Sequence, residues 1–419
     1  MRLFFLLGGA LLLGISYTIG SFNHNFFVIS FDAAMRSIDL NVIFLLMGMM
    51  IIVGVTKRTG LFQWMAYKSF QAARGNVFLL VAILSVITAV VSAFLDNVTT
   101  MLLIIPVTVE IARTLKIDAM AILMPEVFAS NVGGTATLIG DPPNILIGSY
   151  AKLSFVDFVH NLTIVCIIAL IASSIYMLWW FRKDLGKAVV GNVAETVAKL
   201  RAEYRITNKK LLLQSLLMIG ITVFLFMIHG VLHMEPSIAA LLGASLLLAV
   251  SRVNIVEMLE HEVEWPTLIF FAFLFVVVGA AEDTGLIQVL AEWVRNMSQG
   301  NLVIAIILTM WVSAIASALV DNIPFTATML PIVAFLTESI PGAQGGILWW
   351  SLALGACLGG NATMIGASAN VVTVGLAEKN GYHISFLGYI KIAAIPTLIT
   401  VIIATLWVIY VDLPATLAP

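Results

Sequence analysis

Apolar residues run in stretches of about 17 to 25 separated by short charged connectors, the length at which an α-helix crosses the hydrocarbon core of a bilayer. Read against their flanks, the runs predict crossing helices near 3–19, 40–56, 120–150, 159–181, 211–231, 236–251, 266–281, 346–377 and 386–411. Two further apolar regions, 77–113 and 301–338, are each split near the centre by an Asp-Asn pair. Such a pair has no water to satisfy it inside a plain span, so each region is expected to be a re-entrant hairpin with the pair at its tip. The apolar stretch at 1–20 lacks a small-residue cleavage site and is expected to be a retained first helix rather than a signal peptide.

Composition sharpens this picture. Of 419 residues, 61% are hydrophobic and 11% charged, with a mean hydropathy of +1.06, too little polar surface to clothe a soluble globule. The expected class is an all-α polytopic membrane protein whose surroundings are a lipid bilayer. Net charge is -2 with no basic face, so nucleic acid is not an expected partner. Cys166 and Cys357 both fall inside apolar runs and read as small core residues. There is no Gly-x-x-x-x-Gly-Lys loop for ATP and no His-Glu-x-x-His zinc motif; transport driven by ATP and intramembrane proteolysis are disfavoured, and no cofactor or enzymatic role is expected. The connector 182–210 carries Arg182, Lys183, Lys187, Lys199, Arg201, Arg205, Lys209 and Lys210 against Asp184, Glu195 and Glu203, which assigns it to the cytoplasm. Counting crossings from there gives a cytoplasmic N-terminus and an external C-terminus.

The chain also repeats itself. Thr59-Gly60-Leu61 recurs as Thr284-Gly285-Leu286, Asp96-Asn97 as Asp321-Asn322 and Pro106 as Pro331, all at an offset of 225. The run Gly133-Gly134-Thr135-Ala136-Thr137 recurs as Gly359-Gly360-Asn361-Ala362-Thr363, and Asn144 as Asn370, at 226. Five crossings separate Asp96 from Asp321, an odd number, so the second copy is expected to be inserted upside down, the inverted-repeat plan of secondary transporters. The expected division is an N-terminal repeat at 1–181 with hairpin 77–113 and broken helix 120–150, a basic linker and connecting helix at 182–235, and a C-terminal repeat at 236–419 with hairpin 301–338 and broken helix 346–377.

Candidate chemistry gathers at the breaks. An ionised carboxylate deep in a membrane costs several kcal/mol unless it meets water, a cation or a proton, so Asp96 and Asp321 are functional candidates as well as caps for the helices that follow them. Thr99, Thr100, Thr326 and Thr328 lie within about one turn and add oxygen donors. The segments 131–144 and 358–370 are rich in Gly, Thr and Asn, and Pro142-Pro143 forbids a continuous helix in the first. Broken helices expose backbone donors and acceptors at depth, which places Asn131, Gly133, Gly134, Thr135, Thr137, Asp141, Asn144, Gly359, Gly360, Asn361, Thr363, Ser368 and Asn370 beside the tips as substrate- and ion-binding candidates. Asp141 has no acidic counterpart, because position 367 is Ala. His229, His233 and Glu235 read as an interfacial cluster, and Glu110 and Glu126 as solvated or paired carboxylates near cytoplasmic helix ends.

The composite motif, Asp96-Asn97-Val98-Thr99-Thr100 through Asp141-Pro142-Pro143-Asn144 with its second copy at Asp321-Asn322 and Gly359-Gly360-Asn361 through Asn370, resembles the ion transporter superfamily. It is similar to the arsenite permease, NhaD-type sodium/proton antiporter and melanosomal P-protein branch, related to citrate and dicarboxylate transporters. The resemblance implies a scaffold, an elevator-type transport domain with both hairpins and both broken helices, a homodimer and a prokaryotic inner-membrane setting. It places Asn97, Gly134, Thr135 and Asn144, with Asn322, Gly360, Asn361 and Asn370, around the coupling ion and substrate. The dicarboxylate relatives carry Ser-Asn-Thr at the tips, whereas this chain has two carboxylates there, which favours a proton or Na+ at Asp96, Asn97, Asp321 and Asn322 over a dianion. Sodium/proton antiport and arsenite or antimonite efflux are the leading expected activities, ahead of organic or inorganic anion transport and an uncoupled channel.

Overall fold

In the computed structural model each apolar run folds as helix, and both Asp-Asn pairs interrupt helices where the polarity pattern requires. The structure describes residues 2–23, 26–189 and 205–417. Glu195, Lys199, Arg201 and Glu203 of the basic connector lie outside the described residues. The first half runs α1 (Arg2–Thr18), α2 (Phe31–Ser37), α3 (Leu40–Lys57), α4 (Leu61–Ala73), α5 (Val77–Phe94), α6 (Asn97–Leu115), α7 (Met120–Thr135), α8 (Pro142–Ala151) and α9 (Phe155–Trp180). After α10 (Lys209–Ile228) the order begins again with α11 (Pro236–Ser251), α12 (Ile255–His261), α13 (Trp265–Asp283), α14 (Leu286–Ser298), α15 (Leu302–Leu319), α16 (Asn322–Ser339), α17 (Ile347–Gly359), α18 (Ser368–Lys379) and α19 (Phe386–Trp407). The short helices α2, α4, α12 and α14 add to the crossings anticipated from hydropathy; they are too short or too polar to register as apolar runs.

The capping chemistry repeats with the elements. Asn76 caps α5 through the Leu79 amide, and Asn301 caps α15 through the Val303 and Ile304 amides. Asp96 and Asp321 cap α6 and α16. Each cap accepts orphan amide donors of a first turn, fixing where the arm starts.

Contacts between the halves are reciprocal. Helix α6 packs on α18 while α16 packs on α8; α11 packs on α3 while α1 packs on α13; and α7 meets its own counterpart α17. Exchange of partners of this kind is the signature of a two-fold relation between equivalent units. Between the tips the chain crosses by α7 with α8, α9, α10, α11 and α13, an odd count, so the relation inverts one half against the other. Arm length alone, about 27 Å for 18 residues, would let α5 or α15 span a bilayer; the meeting of both tips at one place makes the pairs re-entrant.

Eight of the described helices are long and apolar enough to cross a membrane. Helix α10 has no counterpart among the described helices and presents apolar side chains outward, with Leu213 at 70% exposure, a surface that only lipid or a partner would cover. At the end taken as cytoplasmic, Lys57 and Arg58 pair with Glu262, and Thr207 bonds the Thr59 and Arg58 carbonyls, tying the described end of the connector to the turn after α3. Among the earlier expectations, His229 is a structural pin: its Nε2 accepts from the Phe155 amide and its Nδ1 meets the Met234 carbonyl, each at 3.0 Å. Of the two alternatives for Glu126, solvated or paired, the structure shows the second. It is 0% exposed rather than solvated, and its surroundings are taken up below.

Candidate functional site

The two tips and the two breaks meet through asparagine side chains. At the first tip the Asn97 amide donates to the Gly140 carbonyl, and at the second the Asn322 amide donates to Gly366, each at 3.1 Å. Each tip is thereby fastened to the break of its own repeat, 43 residues further along in the first copy and 44 in the second, by a first-turn amide that has no partner within its own helix.

Gly133 and Gly359, expected among the site residues, pack closely against the arms. A Cβ on Gly133 would stand 2.2 Å from the Ala89 carbonyl oxygen, and one on Gly359 2.3 Å from the Ala314 Cα. Gly134 and Gly360 press likewise on Gly140 and Gly366. Only a hydrogen in place of a side chain lets the breaks approach the arms so closely. The hydroxyls of Thr137 and Thr363 donate to the Ala93 and Ala318 carbonyls, pinning each break to the end of its first arm. Ser92 and Ser317 assist by donating to the carbonyls of Ser130 and Ala356. The latter pair stands at the same offset of 225 and was legible as such, but serines in apolar helices attract no notice alone.

At the centre lies Asn131. Its Oδ1 accepts from Asn97 Nδ2 at 3.1 Å, and its Nδ2 donates to Asn361 Oδ1 and Asn370 Oδ1 at 2.9 Å each. One side chain thus joins the first tip to the second break. Asn370 spends its own Nδ2 on the Gly360 and Thr363 carbonyls, and Asn144 does the same to Thr135 and Thr137, so both amides close the loop of their own broken helix. In the second copy Cys357 replaces Asn131, and its thiol points to Asn144 Oδ1 at 3.7 Å. Cys357 was expected to be core and is buried as such, yet it occupies the equivalent of the most connected residue in the site.

Acids surround this amide core. Asp96 Oδ1 accepts from the Thr99 amide at 2.9 Å, and Asp321 Oδ1 from the Ile323 amide at 3.1 Å, while Ser368 Oγ donates to Asp321 Oδ2 at 2.7 Å. Asp141 is 1% exposed; its Oδ2 meets Asn322 Nδ2 at 3.5 Å, and it lies within electrostatic reach of both Asp321 and Asp96. The Cys357 side chain also interacts with Asp141, while Thr100 Oγ1, Thr326 Oγ1 and Asn361 Nδ2, all buried, have no hydrogen-bonding partner among the described residues. The oxygen donors are hard, of the type that suits Na+ or a proton. Among the described residues no three His, Cys, Asp or Glu side chains converge as a metal site. A cavity of about 260 Å³ lies elsewhere, lined by Lys152, His229, His233 and Glu235 among others, and none of the expected site residues borders it.

Comparison with known proteins bears on the family and the fold. The model of the CitMHS citrate transporter family matches residues 2–355. The chain belongs to the CitMHS citrate transporter family. Within reach of this family are an uncharacterized transporter of Mycobacterium tuberculosis, 44% identical over 89% of the chain and 87% of the relative, and the human P protein, 35% identical over 85% of the chain. The chain spans about half of the P protein, 51% of its length. Among solved structures the Alcanivorax borkumensis YdaH transporter superposes on 100% of the chain and 99% of its own with a TM-score of 0.64 at 13% identity, a likeness of fold. This CitMHS member is a secondary transporter embedded in a membrane, related to the superfamily branch that its motifs resemble.

Proposed function

We propose that the protein is a cation-coupled secondary transporter in which Asp96, Asp141 and Asp321 take up and release Na+ or H+, with Na+/H+ exchange as the activity that fits best. The observation that carries this reading is the charge of the site: three carboxylates surround the amide core and none of the site's side chains is basic. A cation or proton lowers the energy of that arrangement, whereas a multiply charged anion raises it. On this reading Asn97, Asn131, Thr100, Thr326, Asn322, Asn361 and Asn370 supply the neutral donors and acceptors around the ion.

The moving part is proposed to comprise the hairpins with the broken helices, α5 to α8 and α15 to α18, carried against a scaffold built on α3, α10, α11 and α13. Loading the acids neutralises the moving part and lets it cross the apolar belt, and an unloaded, charged one stays. A homodimer in a prokaryotic plasma membrane, with a cytoplasmic N-terminus and external C-terminus, completes the proposal. The second reading is transport of citrate, favoured by the family match. Beside three carboxylates, citrate would need cations or protons to enter with it.

The test is reconstitution in liposomes with clamped Na+ and pH gradients, followed by counterflow with Na+, arsenite, citrate, succinate, sulfate and phosphate. Asp96→Asn and Asp321→Asn are expected to abolish coupled flux while leaving the protein folded. Unchanged flux and pH dependence in both variants, or conductance without coupling, would defeat the reading.

A further inference from the structure

One buried acid stands apart from the tips. Glu126 lies on α7, six residues from its start at Met120, and is 0% exposed. Its hydrogen-bonding partner among the described residues is the hydroxyl of Thr108 on α6, which lies 2.9 Å from Oε1 and 2.9 Å from Oε2. A hydroxyl has one proton to give and lone pairs to receive with. Its one proton is shared between the two carboxyl oxygens, the sole donor that the described residues offer this group. One shared hydroxyl is too little to hold a charge buried so fully, which favours the neutral carboxylic acid.

Among the described residues no charge nearby offers an alternative. Helix α5, packed on α7, has no ionisable side chain, and α7 has none besides Glu126. On α6 stand Glu110, two residues beyond Thr108 and so on the far side of the helix, and Arg113, whose guanidinium donates to Asn380, with Asp96 capping its other end. Helix α9 carries Asp157, His160, Cys166 and Tyr176, α17 carries Cys357, and α18 carries Lys379 and Glu378, the latter paired with His383. None of these makes a hydrogen bond or ion pair with Glu126.

The second copy supplies an internal control. At the offsets of 225 and 226, Thr108 corresponds to Val333 and Glu126 to Leu352, both 0% exposed. The fold packs this helix pair with two apolar side chains, so nothing in the architecture demands an acid here, and burying one uncharged still costs more than burying leucine. One turn further along the same face of α7, Ser130 donates to the Asn97 carbonyl, which places Glu126 in line with the tip.

We propose that Glu126 is a proton-binding site separate from the tips: protonated and locked to Thr108 in the conformation seen here, it gives its proton to water when α6 and α7 part during the cycle. The step is acid dissociation, carboxylic acid plus water giving carboxylate plus hydronium, and rebinding restores the pair. It rests on the reading of the protein as a coupled transporter, and adds a proton that the tip acids do not carry.

Infrared difference spectra of the purified protein between acid and alkaline pH test the site without transport: the carbonyl band of a buried carboxylic acid should be present in the wild type and missing in Glu126→Gln. In liposomes a single linked proton gives a flux that changes about tenfold per pH unit across its titration range, and Glu126→Gln, which keeps a donor and an acceptor for Thr108, should flatten that slope. A second variant, Thr108→Val with Glu126→Leu, copies the second repeat and should flatten it too. A carbonyl region that loses no band in Glu126→Gln, or a wild-type slope in both variants, would overturn the proposal. Asp96→Asn run alongside separates the two ideas: lost coupling there with an unaltered Glu126 band defeats neither, whereas intact coupling there defeats the tip reading and leaves the spectrum to judge Glu126.

Discussion

The two halves of this protein are built on one plan, and they differ where chemistry is concentrated. The first break has Asp141 where the second has Ala367, Asn131 where the second has Cys357, and Pro142 where the second has Ser368. Each exchange leaves the backbone contacts intact, since both tip amides still reach a break carbonyl at 3.1 Å. Framework and function have therefore been held to different standards: small residues that allow close approach recur in both copies, while charge and central amide are kept in one. A symmetric site would present the same charge to both sides of a two-fold; this one gathers an acid and its hydrogen-bonding hub in the first half and lends the second half a serine to hold Asp321.

The framework side of that contrast is tested by Gly133→Ala and Gly359→Ala. Each places a methyl group against backbone, 2.2 Å from an oxygen in one case and 2.3 Å from a Cα in the other, and backbone cannot rotate away. Both are expected to lose about 3 kcal/mol or more, seen as a large drop in the thermal unfolding temperature in detergent. A tolerant Gly359 beside an intolerant Gly133 would show that the framework is less symmetric than its contacts.

The chemical side is tested by Asp141→Asn. Coupled flux should fall roughly 100-fold, about 2.7 kcal/mol of barrier, with the unfolding temperature retained. The converse, Ala367→Asp added to Asp141→Asn, should not restore flux, because Asn97, which would face the new acid, already spends its Nδ2 on Asn131. Restoration would mean that the position of the acid matters less than its presence. Asn131→Ala comes next. It strands Asn97 Nδ2 and the Oδ1 atoms of Asn361 and Asn370 in a buried place, and about 2 kcal/mol of stability should be lost. Asn131→Cys, the residue of the second copy, should fare no better if the hub is needed in the first.

Much of this was legible before any coordinates. Repeated Asp-Asn, Gly-Gly and Asn signals gave the hairpins, the breaks and the unequal acid at Asp141, because duplication converts weak local motifs into a pattern that chance does not produce. Where sequence fell short, the reason was three-dimensional. Thr137 and Gly133 read as ligands since Thr and Gly in a broken apolar run suit a binding loop, and only the approach of Ala93 and Ala89 reveals that they serve as pin and spacer as well. Glu126 read as solvated or paired because six residues from a helix start looks shallow along the chain, and only α6 lying across it decides for the buried pair. Cys357 read as filler because its alignment with Asn131 carries weight only once Asn131 is seen at the centre.

The smallest effect expected is also the finest probe of the asymmetry. Thr137 and Thr363 each pin a break to an arm, but Thr137 Oγ1 additionally accepts from the Gly140 amide at 3.2 Å, whereas in the second copy the Gly366 amide turns to the Thr363 backbone carbonyl at 3.3 Å. Replacing either threonine with valine keeps the shape and removes the hydroxyl. Thr363→Val strands one acceptor, the Ala318 carbonyl, and should cost about 1 kcal/mol; Thr137→Val strands the Ala93 carbonyl and the Gly140 amide together, and should cost about twice that. Because Gly140 is the residue that receives the Asn97 amide, the loosened break should also release the first tip, and hydrogen exchange at Asn97 should quicken in Thr137→Val but not at Asn322 in Thr363→Val. Equal losses and equal exchange in the two variants would show that the breaks are held alike, and would leave Asp141 as the chief source of the difference between the halves.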